Sequence, residues 1–154
     1  MTADPAPVPP PADLPKNSFG ATPDPWIAAA RLDYGADRTL ASAVRDQVVH
    51  VATAPERDRV EEKLLAALAS PDARPAGRAF LCEMLALAGS ARSVPALAAL
   101  LRDPATSDAG RYALEAIPGP EATAALRDAL AVLAGPARAG VVGSLAARGE
   151  EVRS

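Results

Sequence analysis

The sequence predicts an all-α fold, a right-handed solenoid of helical hairpins with an N-terminal helical cap. Three observations carry that prediction. The 154 residues are 49% hydrophobic yet only 3% aromatic, so the apolar content is mainly alanine and leucine, two of the strongest helix formers. Apolar residues recur at helical spacing, and β-branched or aromatic runs of strand length are missing. The tripeptide Ala76-Gly77-Arg78 returns 33 residues later as Ala109-Gly110-Arg111, and the turn proline Pro71 returns at Pro104 with the same offset. A shared offset at a turn and at a helix is what stacked hairpins require.

Taken in order, residues 1–24 read as a disordered proline-rich tail. Eight of the sixteen prolines fall in the first 25 residues, where fixed φ and missing N–H groups disfavour helix and sheet alike. A solubilising tail or linker is the preferred reading over a PxxP docking ligand, and Phe19 is the one aromatic there able to pin it to the body. Residues 25–54 read as capping helices. Asp24 before Pro25 is a helix-start signature, Trp26 is expected to lid the first layer of the core, and Gly35 is expected to stop the first helix. Leu40, Val44, Val48 and Val51 then mark one face of a helix over Ala36–Ala52, with Pro55 closing it.

Residues 55–154 read as three hairpins. The first pairs Glu56–Ala69 (face Val60, Leu64, Ala67, Leu68) with Pro75–Ala88, whose apolar surface is wide enough to touch neighbours on two sides. The second is the best formed. Ser93 is placed to cap Val94–Leu101, Asp103-Pro104 makes the turn, Asp108–Ile117 returns, and Pro118-Gly119-Pro120 stops the chain. The third pairs Glu121–Leu133 with Ala137–Arg148, where Gly140 and Gly143 each cost about 1 kcal/mol against alanine.

Composition removes several function classes. The formal net charge is −3 with a pI near 5.2, and neither the first 54 residues nor the remainder is basic, so a nucleic-acid-tracking surface is disfavoured. No apolar run reaches the roughly 18–20 residues of a membrane span, and Met1–Pro15 lacks the apolar core of a signal peptide. A soluble, cytoplasmic protein with no nucleic-acid or membrane partner is expected. Cys82 is the only cysteine and His50 the only histidine, which leaves no zinc spacing and no intramolecular disulfide. His50 reads as a solvent-edge residue and Cys82 as core. Nucleophile elbows, phosphate loops and HExxH patterns are absent, so the expectation is no enzyme, no cofactor and no metal.

Arg78 and Arg111 share a repeat phase on the second-helix layer, with Glu83, Tyr112 and Glu115 beside them. They read either as a cationic stripe for an acidic partner or as spacers, each guanidinium bonding turn carbonyls or Asp72 and Asp103. The spacer reading is preferred, since a rigid fork of donors suits it.

The segments Val94–Pro104 and Gly110–Ile117, with Gly89-Ser90 between hairpins, resemble HEAT repeats. Leu32–Arg38 followed by Leu64–Ala73 is similar to the start of HEAT-repeat regions in larger bacterial proteins. The resemblance covers about residues 30–150 and implies architecture more than activity. It implies a turn Asp laddering with an Arg early in each second helix, with Asp72/Arg78 and Asp103/Arg111 the nearest matches. The expected function is a non-catalytic scaffold binding a protein partner through Arg78, Glu83, Arg111, Tyr112 and Glu115. The alternative is a relative of the HEAT-like phycobilin lyases, holding a tetrapyrrole in its groove. A HEAT-type DNA glycosylase would need a basic concave face and is less favoured. Because no polar helix follows Arg148, some of Val141, Val142 and Leu145 are expected to lack cover, implying a longer array or a homodimer through the last hairpin.

Overall fold

A computed structural model of the chain describes residues 23–152. The fold is all-helical. Among the described residues it comprises α1 (Pro25–Ala30), α2 (Thr39–Val49), α3 (Ala54–Leu68), α4 (Pro75–Ala88), α5 (Val94–Leu100), α6 (Ser107–Ala116), α7 (Pro120–Leu130) and α8 (Gly135–Ala147), with a 3-10 turn at Ala91–Ser93 and no strand. None of these helices is long and apolar enough to cross a membrane. The expected tail and Phe19 lie outside the described residues, apart from Pro23 and Asp24.

Local chemistry explains where the helices begin. Asp24 Oδ1 accepts from the backbone N–H of Trp26 at 2.8 Å, and Pro25 occupies the first turn of α1. Asp37 Oδ1 accepts from both the N–H (2.9 Å) and the hydroxyl (2.6 Å) of Thr39, so α2 starts there rather than at Ala36. Thr53 and Glu56 form a reciprocal capping box at the start of α3. Pro55 therefore opens α3 instead of closing α2, which already ends at Val49. Ser93 makes no cap bond to α5 because its hydroxyl is committed to Glu61. Gly119, at φ 105°, turns the chain into Pro120 at the start of α7.

The helices pair as α3/α4, α5/α6 and α7/α8. Second helices pack on one another, α4 on α6 and α6 on α8, and α5 packs on α7. The helices α1 and α2 pack together and against α3 and α4. Helix α1 lies directly on α4, where a Cβ at Gly77 would stand 2.0 Å from the carbonyl oxygen of Ala30. That oxygen already accepts from the N–H of Arg74 at 2.9 Å.

One apolar core runs through all eight helices, from Trp26 to Leu145. Trp26 is buried in it, with Lys63 Nζ 5.4 Å above the ring. Contrary to the sequence expectation, the last hairpin is not left bare. Val141 and Leu145 are both fully buried and Val142 is half-buried, because α8 lies against both α6 and α7 and Val152 folds back on the core.

Candidate functional site

The second-helix layer is built around Arg111 of α6. Gly110 before it lets α6 approach α5, since a Cβ there would come within 2.9 Å of the Leu97 carbonyl oxygen. The Arg111 side chain is only 11% exposed. Its Nη1 donates to Ser144 Oγ of α8 at 2.9 Å, and its Nη2 donates to Asp108 at 3.3 Å. Ser144 Oγ in turn donates to Glu115 at 2.7 Å, so one serine joins the cation to its carboxylate. Burial works against the charge on Arg111, but Tyr112 and Asp108 beside it more than compensate and hold its pKa above the usual value.

Its guanidinium stacks 4.1 Å from the centroid of the Tyr112 ring. Arg111 Nε is buried without a hydrogen-bond partner, and the reason is its neighbour. It lies against Gly140, where a Cβ would come within 2.8 Å of it. The glycine that weakens α8 as an isolated helix is the seat for this side chain.

Between α4 and α6 runs a groove of about 270 Å³ lined by Ala79, Ala86, Ala109 and Ala113 with Cys82, Glu83 and Tyr112. Tyr112 on one side is 60% exposed, as is Leu87 of α4, one turn beyond Glu83. Glu83 is held by Arg45 of α2 at 2.9 Å, and the Arg45 guanidinium sits 5.9 Å from the Phe80 ring. Burial pushes the Cys82 thiol up to about 12, against the smaller opposing effect of Arg78. It therefore stays protonated at neutral pH and is a poor nucleophile.

Of the five residues expected from sequence, Arg111, Tyr112 and Glu115 form one cluster, and Glu83 borders the same groove as Tyr112. Arg78 stands apart, lining a crevice with Leu65, Leu68, Ala69, Ala96 and Leu100. The Asp–Arg pairs implied by the resemblance do not form. Asp72 pairs with Arg31 at 2.5 Å, and Asp103 turns inward on its own loop, accepting from Ala105 N–H at 2.9 Å. Arg111 uses Asp108, one helical turn before it, in place of Asp103. No family model, curated protein or solved structure matches the chain.

Three polar anchors were not legible beforehand. Glu61 is fully buried and accepts from the Ser90 N–H (2.8 Å), the Ser90 hydroxyl (2.9 Å) and the Ser93 hydroxyl (2.5 Å). Arg148 donates to the carbonyls of Leu114, Glu115, Ile117 and Gly119 and to Thr123 Oγ1, tying off the end of α6. Ser144 is the third. The only advance signal was position, since Glu61 adjoins the apolar face of α3 and Arg148 follows that of α8. His50 sits at the exposed end of α2, its ring nitrogen 2.8 Å from the Asp46 carbonyl oxygen.

Proposed function

We propose that the chain is a non-catalytic scaffold, a HEAT-like right-handed solenoid that holds a protein partner on its α4–α6 face. The observation that carries the reading is Tyr112. An exposed tyrosine normally pays rotamer entropy on binding, but here Arg111 stacks on the ring and is itself fixed by Ser144 and Asp108. Rigid exposed aromatics beside small-residue grooves are typical interface anchors. Successive packing of α4 on α6 and α6 on α8 supports the solenoid, as does the Arg111–Ser144 bond, which joins the second helices of neighbouring hairpins.

A groove of about 270 Å³ with one aromatic favours a protein contact over a tetrapyrrole. Arg111 acts as a positioning residue behind Tyr112, and Glu83 with its Arg45 partner supplies a polar rim. The test is photo-crosslinking from position 112 in cells, with position 132 as the exposed control. A discrete adduct formed only from position 112, and lost when Ala86→Glu fills the groove, supports the reading. Equal adducts from both positions, or persistence in the Ala86→Glu variant, refute it.

A further inference from the structure

The crevice at Arg78 is separate from the α4–α6 groove. It opens to the surface among α3, α4 and α5, measures about 240 Å³, and is walled by Leu65, Leu68, Ala69, Ala96 and Leu100. Arg78 is the one charged side chain in its lining, and its Nε is buried without a hydrogen-bond partner. Every ion pair among the described residues goes to another cation, namely Arg31, Arg45, Arg74, Arg92, Arg111 or Arg127. A half-buried arginine on an aliphatic crevice, with its Nε–H buried and unpartnered and no carboxylate of its own, is an incomplete arrangement, because desolvating a donor is costly when nothing accepts from it.

We infer that this crevice receives the C-terminal end of a partner peptide, with the α-carboxylate on Arg78 and an aliphatic last side chain against Leu65, Leu68 and Leu100. One planar fork matches one carboxylate. The lining offers no second cation and no side-chain hydroxyl or amide, which is a poor match to phosphate or a nucleic-acid backbone. The volume corresponds to about eight water molecules at the liquid volume of each, the scale of a terminal aliphatic residue with its carboxylate. At a chain end the charge and the apolar group branch from the same carbon, as the adjoining cation and leucines require. The inference goes beyond the scaffold reading and stands or falls without it.

The test is an amide-resonance titration of the full chain with an acetylated alanine tetrapeptide extended by a C-terminal leucine, as the free acid and as the amide. The free acid is expected to shift Leu68, Ala69, Ala96 and Leu100 saturably. The amide, and the free acid on Arg78→Gln, are each expected to bind about tenfold more weakly or worse, the loss of one charge-assisted contact. Ala96→Leu, which fills the crevice and keeps the cation, is expected to lose binding too, while Tyr112→Ala leaves it unchanged. Failure of the free acid to saturate, equal binding of acid and amide, or undiminished binding to folded Arg78→Gln overturns the inference. Equal binding of an amidated peptide carrying an internal glutamate overturns the chain-end assignment.

Discussion

Arg111 and Ser144 meet at 2.9 Å across the α6–α8 contact, with Gly140 beneath the guanidinium. The pair joins the second and third hairpins by a side-chain bond, and it leaves no room for a side chain at position 140 of α8. Glycine at 140 and glycine at 143 therefore have opposite meanings.

Gly143→Ala is expected to stabilise the protein by about 0.5–1 kcal/mol, since a Cβ there meets nothing within 4 Å and alanine is the better helix former. Gly140→Ala is expected to forfeit that gain, because the new methyl displaces Arg111 from Ser144. In an Arg111→Ala background the gain at 140 should reappear. Urea denaturation of wild type, the three single variants and the Arg111→Ala/Gly140→Ala double variant checks this; a gain at 140 in the wild-type background would show that the arginine yields freely.

Glu61 links α3 to the turn before α5. Burial pushes its carboxyl pKa up, but the Ser93 hydroxyl, the Ser90 N–H and hydroxyl, and the charge of Arg92 outweigh that and hold it below its ordinary 4.5. A lowered folded pKa means that the unfolded chain binds the proton more readily. The stabilisation is complete above about pH 4.5 and is lost as pH falls through the lowered value. Glu61→Gln is expected to cost about 1–3 kcal/mol at pH 7 and to flatten the stability-against-pH curve below pH 4.5 relative to wild type, read from urea midpoints.

Arg148 replaces the water that would otherwise solvate the end of α6. Arg148→Ala should cost about 2–4 kcal/mol, since several carbonyls lose a charged donor at once. Arg148→Lys should recover less than half, because one ammonium has three donors and no planar fork. Thermal melts compare the three proteins, and full rescue by lysine would reduce the role to charge alone.

At Gly77 the obstruction is backbone. A Cβ would fall 2.0 Å from the Ala30 oxygen and 2.7 Å from that of Ala29, so Gly77→Ala has to push α1 off α4. A loss of about 3 kcal/mol or more is expected, with Trp26 fluorescence shifting to the red as the indole is uncovered. An unshifted spectrum would show that α1 stays docked.

Thr53→Ala removes one half of the capping box that opens α3, with an expected cost of about 1 kcal/mol. Helix content by circular dichroism near the midpoint of melting reports it. No loss of stability would mean that Glu56 alone suffices to start the helix.

Taken by itself, the sequence determined the number and order of the helices, most of their limits and most of the core. Val44, Val48, Val60, Leu64 and Leu68, all buried, follow from 3.6-residue periodicity, and the turns follow from Pro and Gly, whose backbone preferences are local. The second-helix cluster of Arg111, Tyr112 and Glu115 was legible for the same reason, as neighbours on one helix. What only the tertiary structure decided is how the polar groups pair. Ser93 abandons its cap for Glu61, Asp72 goes to Arg31 rather than Arg78, Arg148 reaches back to α6, and Arg111 takes Ser144. Periodicity reports which face of a helix is apolar. A hydrogen bond between residues some 30 positions apart depends on the rotation and offset of two packed helices, set by side-chain volumes on both and by glycines such as Gly77 and Gly140 that let them close.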